Sequence, residues 1–509
     1  MKRFFAILMT IFMLAGALSI TAFAASHDPA AGTVIRVCGL EKTSETTWRT
    51  NILFDSDNFE EGWNYAMELA GDTRKMKTNK YDHVTVDIYA DWKANDAGEF
   101  GSGNGFSFST LYIPEDAKVV INLNGHTIDR DLKEWEYDGE VMYINEDANV
   151  TINNGTITGG WSCNGAGGIN VESGTNLILN NVHIVGNIAD DDDGGGIALY
   201  DATLVMNGGS FRDNSIDGVV GNELFDCYGG AIYIEDSTAT FNGVEFKNNQ
   251  NTNDEDYGAA IYADDSEVYL YECTFDGNGV EDKGKNICGT TSIVHAEDSE
   301  LVMEKVTFTN NGSYYQDEAG FYGTGTGLFS SLIVLDDANF KLSGDSNFTN
   351  NAATFLISVM DDSHIYVEDT TFYANKSFVM NSHGYHYDDS YFKNCTFENN
   401  KVSDAENLYE GMSDWAYTFN VSDESLTFID CKMSDSTYSF QDLMKFVDTD
   451  AANGSARRFG SIFGEGSLTM IVALLALIAS AVSIFLTVYY NKKKVAPVAA
   501  DNKEAEDEE

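Results

Sequence analysis

The feature that most constrains the fold is a repeat. The pattern Phe-x-x-Asn recurs seven times through the middle of the chain, at separations of 24 to 40 residues. Upstream of the earlier copies stands a box of small residues that ends in Ile, as in residues 229–232. Motifs that alternate in a constant order indicate a repeat architecture in which each copy is one structural unit. The copies begin at Phe211, Phe246, Phe275, Phe308, Phe348, Phe372 and Phe397.

Within each repeat, apolar and polar residues alternate over three short stretches. In one repeat these are residues 232–234, 239–241 and 244–246, separated by the polar corners 235–237 and 242–243. The pattern predicts three strands of three to five residues per repeat. Such units wind into a single-stranded, right-handed parallel β-helix, an all-β fold in which each strand bonds to its equivalents above and below. Alignment predicts about eleven coils at 111–128, 139–157, 168–184, 196–211, 230–246, 260–275, 292–308, 332–348, 356–372, 378–397 and 416–433.

The cysteines fit the interior of these coils. Cys273, Cys395 and Cys431 share a column with Val244 and Val306, which predicts buried core thiols. Cys395 and Cys431 fall in consecutive coils, so a bridge between them is an open alternative. The chain has seven cysteines and no Cys-x-x-Cys pair, a pattern that supports neither a disulfide framework nor a zinc site.

The flanks of the β-helix, predicted over residues 111–440, carry other signals. Residues 25–110 are predicted to cap its first coil, because exposed strand edges invite association. Within that region Asp57 as N-cap, Glu60 three residues later and Gly71 after the last turn predict a short amphipathic helix. Residues 441–466 have no repeat and are predicted to form a stalk or a C-terminal cap.

The two ends of the chain have the patterns of a targeting segment and of a membrane anchor. Residues 1–24 have the charged start, apolar middle and small-x-small end of a signal peptide. Residues 467–490 contain no charge and are long enough to cross a bilayer, although a buried core helix is the alternative. The lysines at 492–494 favour a cytoplasmic C-terminus, with residues 491–509 as an acidic tail. The prediction is a single-pass protein of the cell membrane with its ectodomain outside.

Charge excludes one class of function. The chain carries 30 Lys plus Arg against 81 Asp plus Glu, a formal net charge of −51. Neutralising phosphates needs a basic surface, so a nucleic-acid binder is excluded. Hydrophobic residues nevertheless make up 43% of the chain, which excludes disorder throughout.

Acidic pairs recur at the corner between the first and second strands. Stacked about 4.8 Å apart, their charges would repel, and Ca²⁺ would relieve the repulsion. The alternative is that each Asp turns the corner locally and its carboxylate points into solvent. No cofactor is predicted. Calcium is the alternative that the acidic pairs leave open, and Asp190, Asp191, Asp192 and Asp193 form a further candidate site for it. The pairs are Glu115-Asp116, Glu146-Asp147, Glu235-Asp236, Asp264-Asp265, Glu297-Asp298, Asp336-Asp337, Asp361-Asp362, Asp388-Asp389 and Asp423-Glu424.

The longest insertions follow Phe-x-x-Asn, at one corner of the predicted coil. Insertions at one corner of a solenoid project from one side and form a continuous surface. They combine acidic and aromatic residues, a mixture suited to recognising a glycan or protein partner. Tolerance of insertions at that corner, without any function, is the alternative reading. The candidate binding residues are Tyr228, Tyr257, Tyr314, Tyr315, Tyr322 and Tyr409.

Signals of catalysis are few. Residues 279–285 read Gly-x-x-x-x-Gly-Lys, but Asn286 replaces the Ser or Thr that a phosphate loop needs. His383, His386, Asp388 and Asp389 read as a metal site or as an exposed polar loop. Many polysaccharide lyases and hydrolases are β-helices, and this analogy supplies the alternative function. Between residues 111 and 433, however, the chain contains only Arg130 and Arg212 as arginines, and an anionic polymer would be repelled.

The ordered alternation of Gly-Gly-Ala-Ile and Phe-x-x-Asn resembles the repeats of the chlamydial polymorphic membrane proteins, a family of β-helix surface adhesins. The resemblance covers roughly residues 165–400. It implies a surface-displayed β-helix, and this chain departs from the family by its predicted C-terminal membrane helix. The repeat motifs correspond to Phe211, Asn214, Phe246, Asn249, Phe275 and Asn278. We therefore expect a non-catalytic adhesin or surface-recognition module.

Overall fold

A computed structural model describes the part of the chain that carries the repeats. The described residues are 29–43, 48–94, 110–217, 219–220, 223–224, 227–251, 257–279, 292–312, 331–382, 390–400, 419–421 and 426–433. The predicted signal peptide, stalk, membrane segment and tail lie outside these residues. Among the helices of the described part, none is long and apolar enough to cross a membrane.

The first strand of each coil joins one parallel sheet of eleven strands, here called sheet 1. Neighbouring strands pair in parallel throughout this sheet, with Ile197 opposite Ile232 and Ile232 opposite Ile261. In chain order the strands are β5 (Leu111–Ile113), β8 (Met142–Ile144), β11 (Ile169–Val171), β14 (Ile197–Tyr200), β19 (Ile232–Glu235), β23 (Ile261–Asp264), β26 (Ser292–Glu297), β29 (Ser331–Asp336), β32 (Ala352–Met360), β35 (Lys376–Ser382) and β38 (Phe419–Val421).

The second and third strands form sheet 2, which has twenty-three strands and also takes in the N-terminal strands. The second strands are β6 (Lys118–Asn122), β9 (Asn149–Thr158), β12 (Asn176–Val185), β15 (Thr203–Arg212), β20 (Thr238–Asn242), β24 (Glu267–Tyr271), β27 (Glu300–Glu304), β30 (Asn339–Ser343), β33 (His364–Glu368), β36 (Tyr391–Lys393) and β39 (Thr427–Ile429). Strands β9, β12 and β15 are each long enough to serve as both the second and the third strand of their coils. The separate third strands are β7 (Thr127–Asp129), β21 (Glu245–Lys247), β25 (Thr274–Asp276), β28 (Thr307–Thr309), β31 (Asn347–Thr349), β34 (Thr371–Tyr373), β37 (Thr396–Glu398) and β40 (Lys432–Met433).

Two small sheets lie in the connections that lead back to sheet 1. Sheet 3 is parallel and consists of β10 (Trp161–Ser162), β13 (Ile188–Asp190), β16 (Ser215–Asp217) and β22 (Gln250–Asn251). An antiparallel pair is formed by β17 (Val219–Val220) and β18 (Glu223–Leu224). The long parallel sheets fit the predicted parallel β-helix.

The corners of the coils are turned by single residues in the left-handed region. Asp236 has a φ of 50° between the first and second strands, Gly243 a φ of 63° before the third, and Asn248 a φ of 53° after it. Gly has no Cβ to clash there, and Asn and Asp are the other residues that adopt this conformation readily. The acidic pair 235–236 therefore turns the chain locally, as one of the two sequence readings expected.

Two columns of side chains fill the interior behind the third strands. The Phe rings of the repeat stack in parallel, with centroids 4.7 Å apart between Phe246 and Phe275 and 4.2 Å apart between Phe275 and Phe308. Next to them the buried Asn residues form a ladder. In it Asn278 Nδ2 donates to Asn311 Oδ1 at 2.9 Å. The ladder comprises Asn187, Asn214, Asn249, Asn278, Asn311, Asn351, Asn375 and Asn400.

The N-terminal region leads into the first coil through an antiparallel unit. Strand β1 (Ile35–Lys42) pairs with β2 (Trp48–Ser56) and β3 (Tyr81–Ile88), and β3 then pairs in parallel with β6. The short strand β4 (Trp92–Lys93) pairs with β7. Helix α1 (Phe59–Gly71) buries Phe59, Trp63 and Met67 and packs against these strands and β5.

The predicted helix is present, but its ends differ from the prediction. Asn58, not Asp57, is the N-cap, because its side chain accepts a hydrogen bond from the Glu61 N–H at 3.0 Å. Gly71 is the last helical residue, and Asp72 follows it as C-cap. Asp72 also caps a second helix, α2 (Thr73–Asn79), which the sequence analysis did not identify.

The Asn ladder gives a first test of what holds the coils together. Asn278 is fully buried, and its side chain accepts from Asn249 N and Nδ2 and donates to Phe246 O and Asn311 Oδ1. Replacing it by Ala leaves these buried groups without partners, so Asn278→Ala should lower the free energy of unfolding by about 2–4 kcal/mol in urea denaturation. The control Asn339→Ala removes an exposed amide on β30 and should cost less than about 0.5 kcal/mol. Equal effects of the two changes would contradict a structural role for the ladder.

Candidate functional site

The outer face of sheet 1 carries a row of aromatic residues. In β19 the side chains of Ile232 and Ile234 enter the core, so alternation turns Tyr233 outward. The parallel register places Tyr233 opposite Tyr262 and Tyr262 opposite His295. The rings stack, with centroids 5.7 Å apart in the first pair and 5.0 Å in the second.

Two tyrosines from the preceding connections fold over this row. Tyr228 and Tyr257 form a parallel bridge with each other, and their ring centroids lie 5.8 Å apart. The Tyr228 ring also stacks on Tyr262, with a centroid distance of 4.4 Å. Each is followed by a glycine with positive φ, Gly229 at 75° and Gly258 at 67°. A Cβ on either glycine would also meet backbone atoms at 2.4 Å, so the small-residue box is required by close packing.

We call the group formed by Tyr200, Tyr228, Tyr233, Tyr257, Tyr262 and His295 the tyrosine surface. Tyr233 and Tyr262 are 7% and 5% exposed, whereas Tyr200, Tyr228 and Tyr257 are half-buried and reach solvent. The Tyr262 hydroxyl donates to Glu297 Oε2 at 2.6 Å. Burial, together with nearby carboxylates, raises the pKa of Tyr200, Tyr233 and Tyr262. These hydroxyls therefore stay protonated at neutral pH, and that of Tyr262 is already committed to Glu297.

His295 lies against this group as a neutral aromatic ring. It is 3% exposed, and its Nδ1 has no hydrogen-bond partner. Burial lowers the pKa of His295 to about 3. The ring therefore contributes stacking on Tyr262 and an edge contact to Tyr257, without charge.

The predicted acidic run is adjacent to the tyrosine surface, but its side chains bind separate partners. Asp190 Oδ2 accepts from Trp161 Nε1 at 3.1 Å, and Asp192 Oδ2 accepts from the Gly165 N–H at 2.7 Å. Asp193 Oδ1 accepts from the Tyr228 N–H at 2.7 Å, which ties the run to the tyrosine surface. Burial, with smaller contributions from nearby carboxylates, raises the pKa of Asp190 to about 6 and also raises that of Asp191. In this arrangement the four carboxylates do not converge on one point.

A column of carboxylates runs along the corner between sheets 1 and 2. The register aligns Glu235, Asp264, Glu297 and Asp336 on successive first strands. Burial raises the pKa of Asp264 and of Asp336 to about 6, and carboxylates of neighbouring coils add to each shift. Neighbouring carboxylates of this column therefore disfavour one another's charged form. The relief of this repulsion by calcium stays a prediction.

Three carboxylates lie especially close together at one end of this column. Asp336, Asp337 and Asp361 each bring a carboxylate oxygen within 4.8 Å of the others, and this is the one such group of three among the described residues. Some carboxylates elsewhere on the coils have basic partners. Lys247 Nζ lies 2.8 Å from Asp276 Oδ2, and that contact lowers the pKa of Asp276.

The two arginines of the coils are both engaged in ion pairs. Arg130 is fully buried, and its Nη2 donates to Glu136 at 3.1 Å. Arg212 pairs with Glu245 on sheet 2. Near Arg130 lies Glu140, whose pKa is raised to about 7 chiefly by burial. Glu140 is 3% exposed, so this group is an internal polar contact and not a cleft that could admit a polymer.

Of the candidate tyrosines, the structure brings Tyr228 and Tyr257 together. Tyr314, Tyr315, Tyr322 and Tyr409 lie outside the described residues, as do His383, His386, Asp388 and Asp389. The sequence analysis did not identify Tyr200, Tyr233, Tyr262 or His295 as part of a site. Strand alternation marks Tyr233 and Tyr262 as outward-facing, but only the folded connections bring Tyr228 over them.

The carboxylate column makes the stability of the fold depend on pH. The folded pKa of Asp336, about 6, lies above that of an unfolded aspartate, so the folded state binds the proton more tightly. The contribution of Asp336 to stability should therefore fall as the pH rises from about 4 to about 6. Asp336→Asn should raise the melting temperature at pH 7 and lose this advantage near pH 4.

The matched control for this prediction is Asp276→Asn. Lys247 lowers the pKa of Asp276, so the charged form is stabilising, and its loss should lower the melting temperature at pH 7. Melts of both variants between pH 4 and 8 check the two signs. A lower melting temperature for Asp336→Asn at pH 7 would show that the column does not repel.

Comparison with known proteins supports the fold. A family model described as a right handed beta helix region matches residues 104–275. No curated protein and no solved structure matches the chain significantly. The matched residues run from just before β5 to within β25 and include most of the tyrosine surface. This part of the chain is thus similar to the right-handed β-helix.

Proposed function

We propose that this protein is a non-catalytic surface-recognition module, an adhesin for glycans or proteins, whose partner binds at the tyrosine surface. The β-helix fold is compatible with a surface protein and also with a pectin-lyase-like protein. The choice between these two functions therefore depends on the residues of the site. The proposal includes anchoring by residues 467–490 in the cell membrane, with the ectodomain outside and the C-terminus in the cytoplasm. The resemblance to the chlamydial repeats is part of the support for this reading.

The observation that carries the proposal is the stacking of Tyr228 and Tyr257 over the outward row of sheet 1. Half-buried rings with hydroxyl donors offer flat apolar area and directed hydrogen bonds, which suit both sugar rings and protein side chains. Their positions are fixed by the bridge between the two residues and by the Asp193 hydrogen bond to Tyr228. Binding at this surface therefore needs little ordering of the receptor.

The enzyme alternative has less support. Removal of a proton next to a uronate carboxylate needs an accessible base and positive charge. Arg130 and Arg212 are each held in an ion pair, and Arg130 is fully buried. The acidic column beside the tyrosine surface would also repel an anionic polymer. These contacts favour recognition over cleavage.

The binding proposal is tested by removing the two outer rings. The Tyr228→Ala and Tyr257→Ala variants of the full chain should bind ligands selected from glycan and peptide arrays about ten- to hundredfold more weakly, the loss typical of a central aromatic contact. Tyr228→Phe keeps the stacked ring and should retain most of the binding. Titration of the purified protein with the selected ligands measures these effects.

Three controls sharpen this experiment. Tyr373→Ala removes a 41% exposed tyrosine from β34 on sheet 2 and should leave binding unchanged. Because no cofactor is proposed, EDTA should also leave binding unchanged, and a loss would point to calcium at Asp190–Asp193 or at the Asp336 group. Unsaturated or new reducing sugar ends released from pectin-like polysaccharides would support the enzyme. Unaltered binding by both alanine variants would reject this surface.

The proposed location gives a separate prediction. Protease added to intact cells should digest the β-helix region and leave the 491–509 tail protected, because the lysines at 492–494 favour a cytoplasmic C-terminus. Immunoblots against an epitope in each region measure the two outcomes. Digestion of the tail alone would show the opposite orientation.

A further inference from the structure

Cys395 and Cys431 occupy equivalent positions in consecutive coils. Strand β37 pairs with β40 so that Thr396 lies opposite Lys432, and the Lys432 N–H donates to Cys395 O at 2.8 Å. The two cysteines, each one residue earlier, are therefore also opposite each other. Neighbouring strands lie about 4.8 Å apart, a separation within the Cα range of disulfides. Both residues are buried, at 0% and 8% exposure, and both are free thiols in the structure.

Cys273 is not placed for this reaction. Cys273 lies in the same column of the core, but Val306, Ser346 and Thr370 separate it from Cys395. Four coil spacings of about 4.8 Å put these two residues far beyond bonding distance. Within the described part, Cys395 and Cys431 are the pair that the register brings together.

We propose that Cys395 and Cys431 are a redox-active pair that closes to a disulfide and joins two successive coils at the C-terminal end of the described β-helix. The reaction takes a small-molecule disulfide, such as oxidised glutathione, as its oxidant. It is independent of the proposed binding function, since it lies away from the tyrosine surface in the sequence of coils.

The exchange proceeds in two steps that balance. Cys431 gives up its proton, and its sulfur attacks one sulfur of the oxidant, which forms a mixed disulfide and releases one glutathione thiol. Cys395 then loses its proton and attacks the Cys431 sulfur, which releases the second glutathione thiol. The two cysteines lose two electrons in total, and the oxidant is reduced to two thiols.

The environment assigns the order of attack. The hydrogen bond between the two thiols lowers the pKa of Cys431, and the same contact together with burial raises the pKa of Cys395. Cys431 is the more exposed of the two, so the oxidant reaches its sulfur first. The thiolate is the nucleophile in disulfide exchange, and the lowered pKa of Cys431 agrees with this order. Cys395 is then the resolving thiol, held one strand away.

The experiment uses the purified full chain, reduced and then equilibrated with glutathione mixtures of increasing oxidation. Acid quenching, alkylation and mass spectrometry of the peptides identify which cysteines are linked. The expected product is a peptide pair joined through Cys395 and Cys431. Cys395→Ser should trap Cys431 as a mixed disulfide with glutathione, whereas Cys431→Ser should leave Cys395 unmodified. Cys273→Ser is the matched control for a buried thiol and should leave the linked pair intact.

A second readout covers the case in which a serine variant folds poorly. In the unsubstituted chain, oxidation should slow amide hydrogen exchange in Thr427–Ile429 by about tenfold or more, because the link restrains local opening. Exchange in Thr238–Asn242, on coils remote from the pair, should not change. Alkylation of both thiols after full oxidation would overturn the proposal, and so would a link from either one to another cysteine. Mixed disulfide on Cys395 in Cys431→Ser would overturn the assigned order.

Discussion

Hydrogen bonding between residues one coil apart is the interaction on which the rest of this structure depends. Between the first and last coils, the strands of sheets 1 and 2 are bonded to their equivalents in the coils before and after them, so no coil of the β-helix satisfies its backbone alone. The exact superposition of coils then lines up like with like, as Phe246 on Phe275 and Asn249 on Asn278. A side chain that spoils one column therefore disturbs the backbone of its neighbours as well.

The repeat was predictable because side chains that stack at equivalent positions of successive coils recur as the same residue type in the sequence. Phe-x-x-Asn marks a ring and an amide that are buried at fixed positions. The alternation over residues 232–234 predicted strand β19, whose Ile232 and Ile234 enter the core. Elements formed by tertiary pairing were harder to identify. The strands of sheet 3, such as β13 and β16, are two to three residues long and show no alternation of their own. Helix α2 was missed because Asp72, its cap, also ends the preceding helix.

The site could be predicted only in part, because contacts between coils position several of its side chains. Tyr228 and Tyr257 were identified from their place in the insertions, but the sequence does not show that their rings return over Tyr233 and Tyr262. That path depends on the positive φ of Gly229 and Gly258 and on contacts between coils. The run Asp190–Asp193 suggested a shared ligand, yet backbone N–H groups and an indole bind three of its carboxylates separately. A run of acidic residues in a sequence therefore does not show whether their carboxylates point to a common ligand.

At the left-handed corners, the backbone conformation does not depend on whether the residue carries a charge. Asp116, Asp147, Asp236, Asp265 and Asp298 each turn a corner with a positive φ, and asparagines such as Asn154 and Asn248 do the same at others. The backbone requirement is for a short side chain that tolerates this conformation, and it does not distinguish the acid from the amide. The negative charge that these corner aspartates carry can therefore be altered while the coils stay as they are. Surface potential and architecture can thus change independently in a chain of this design.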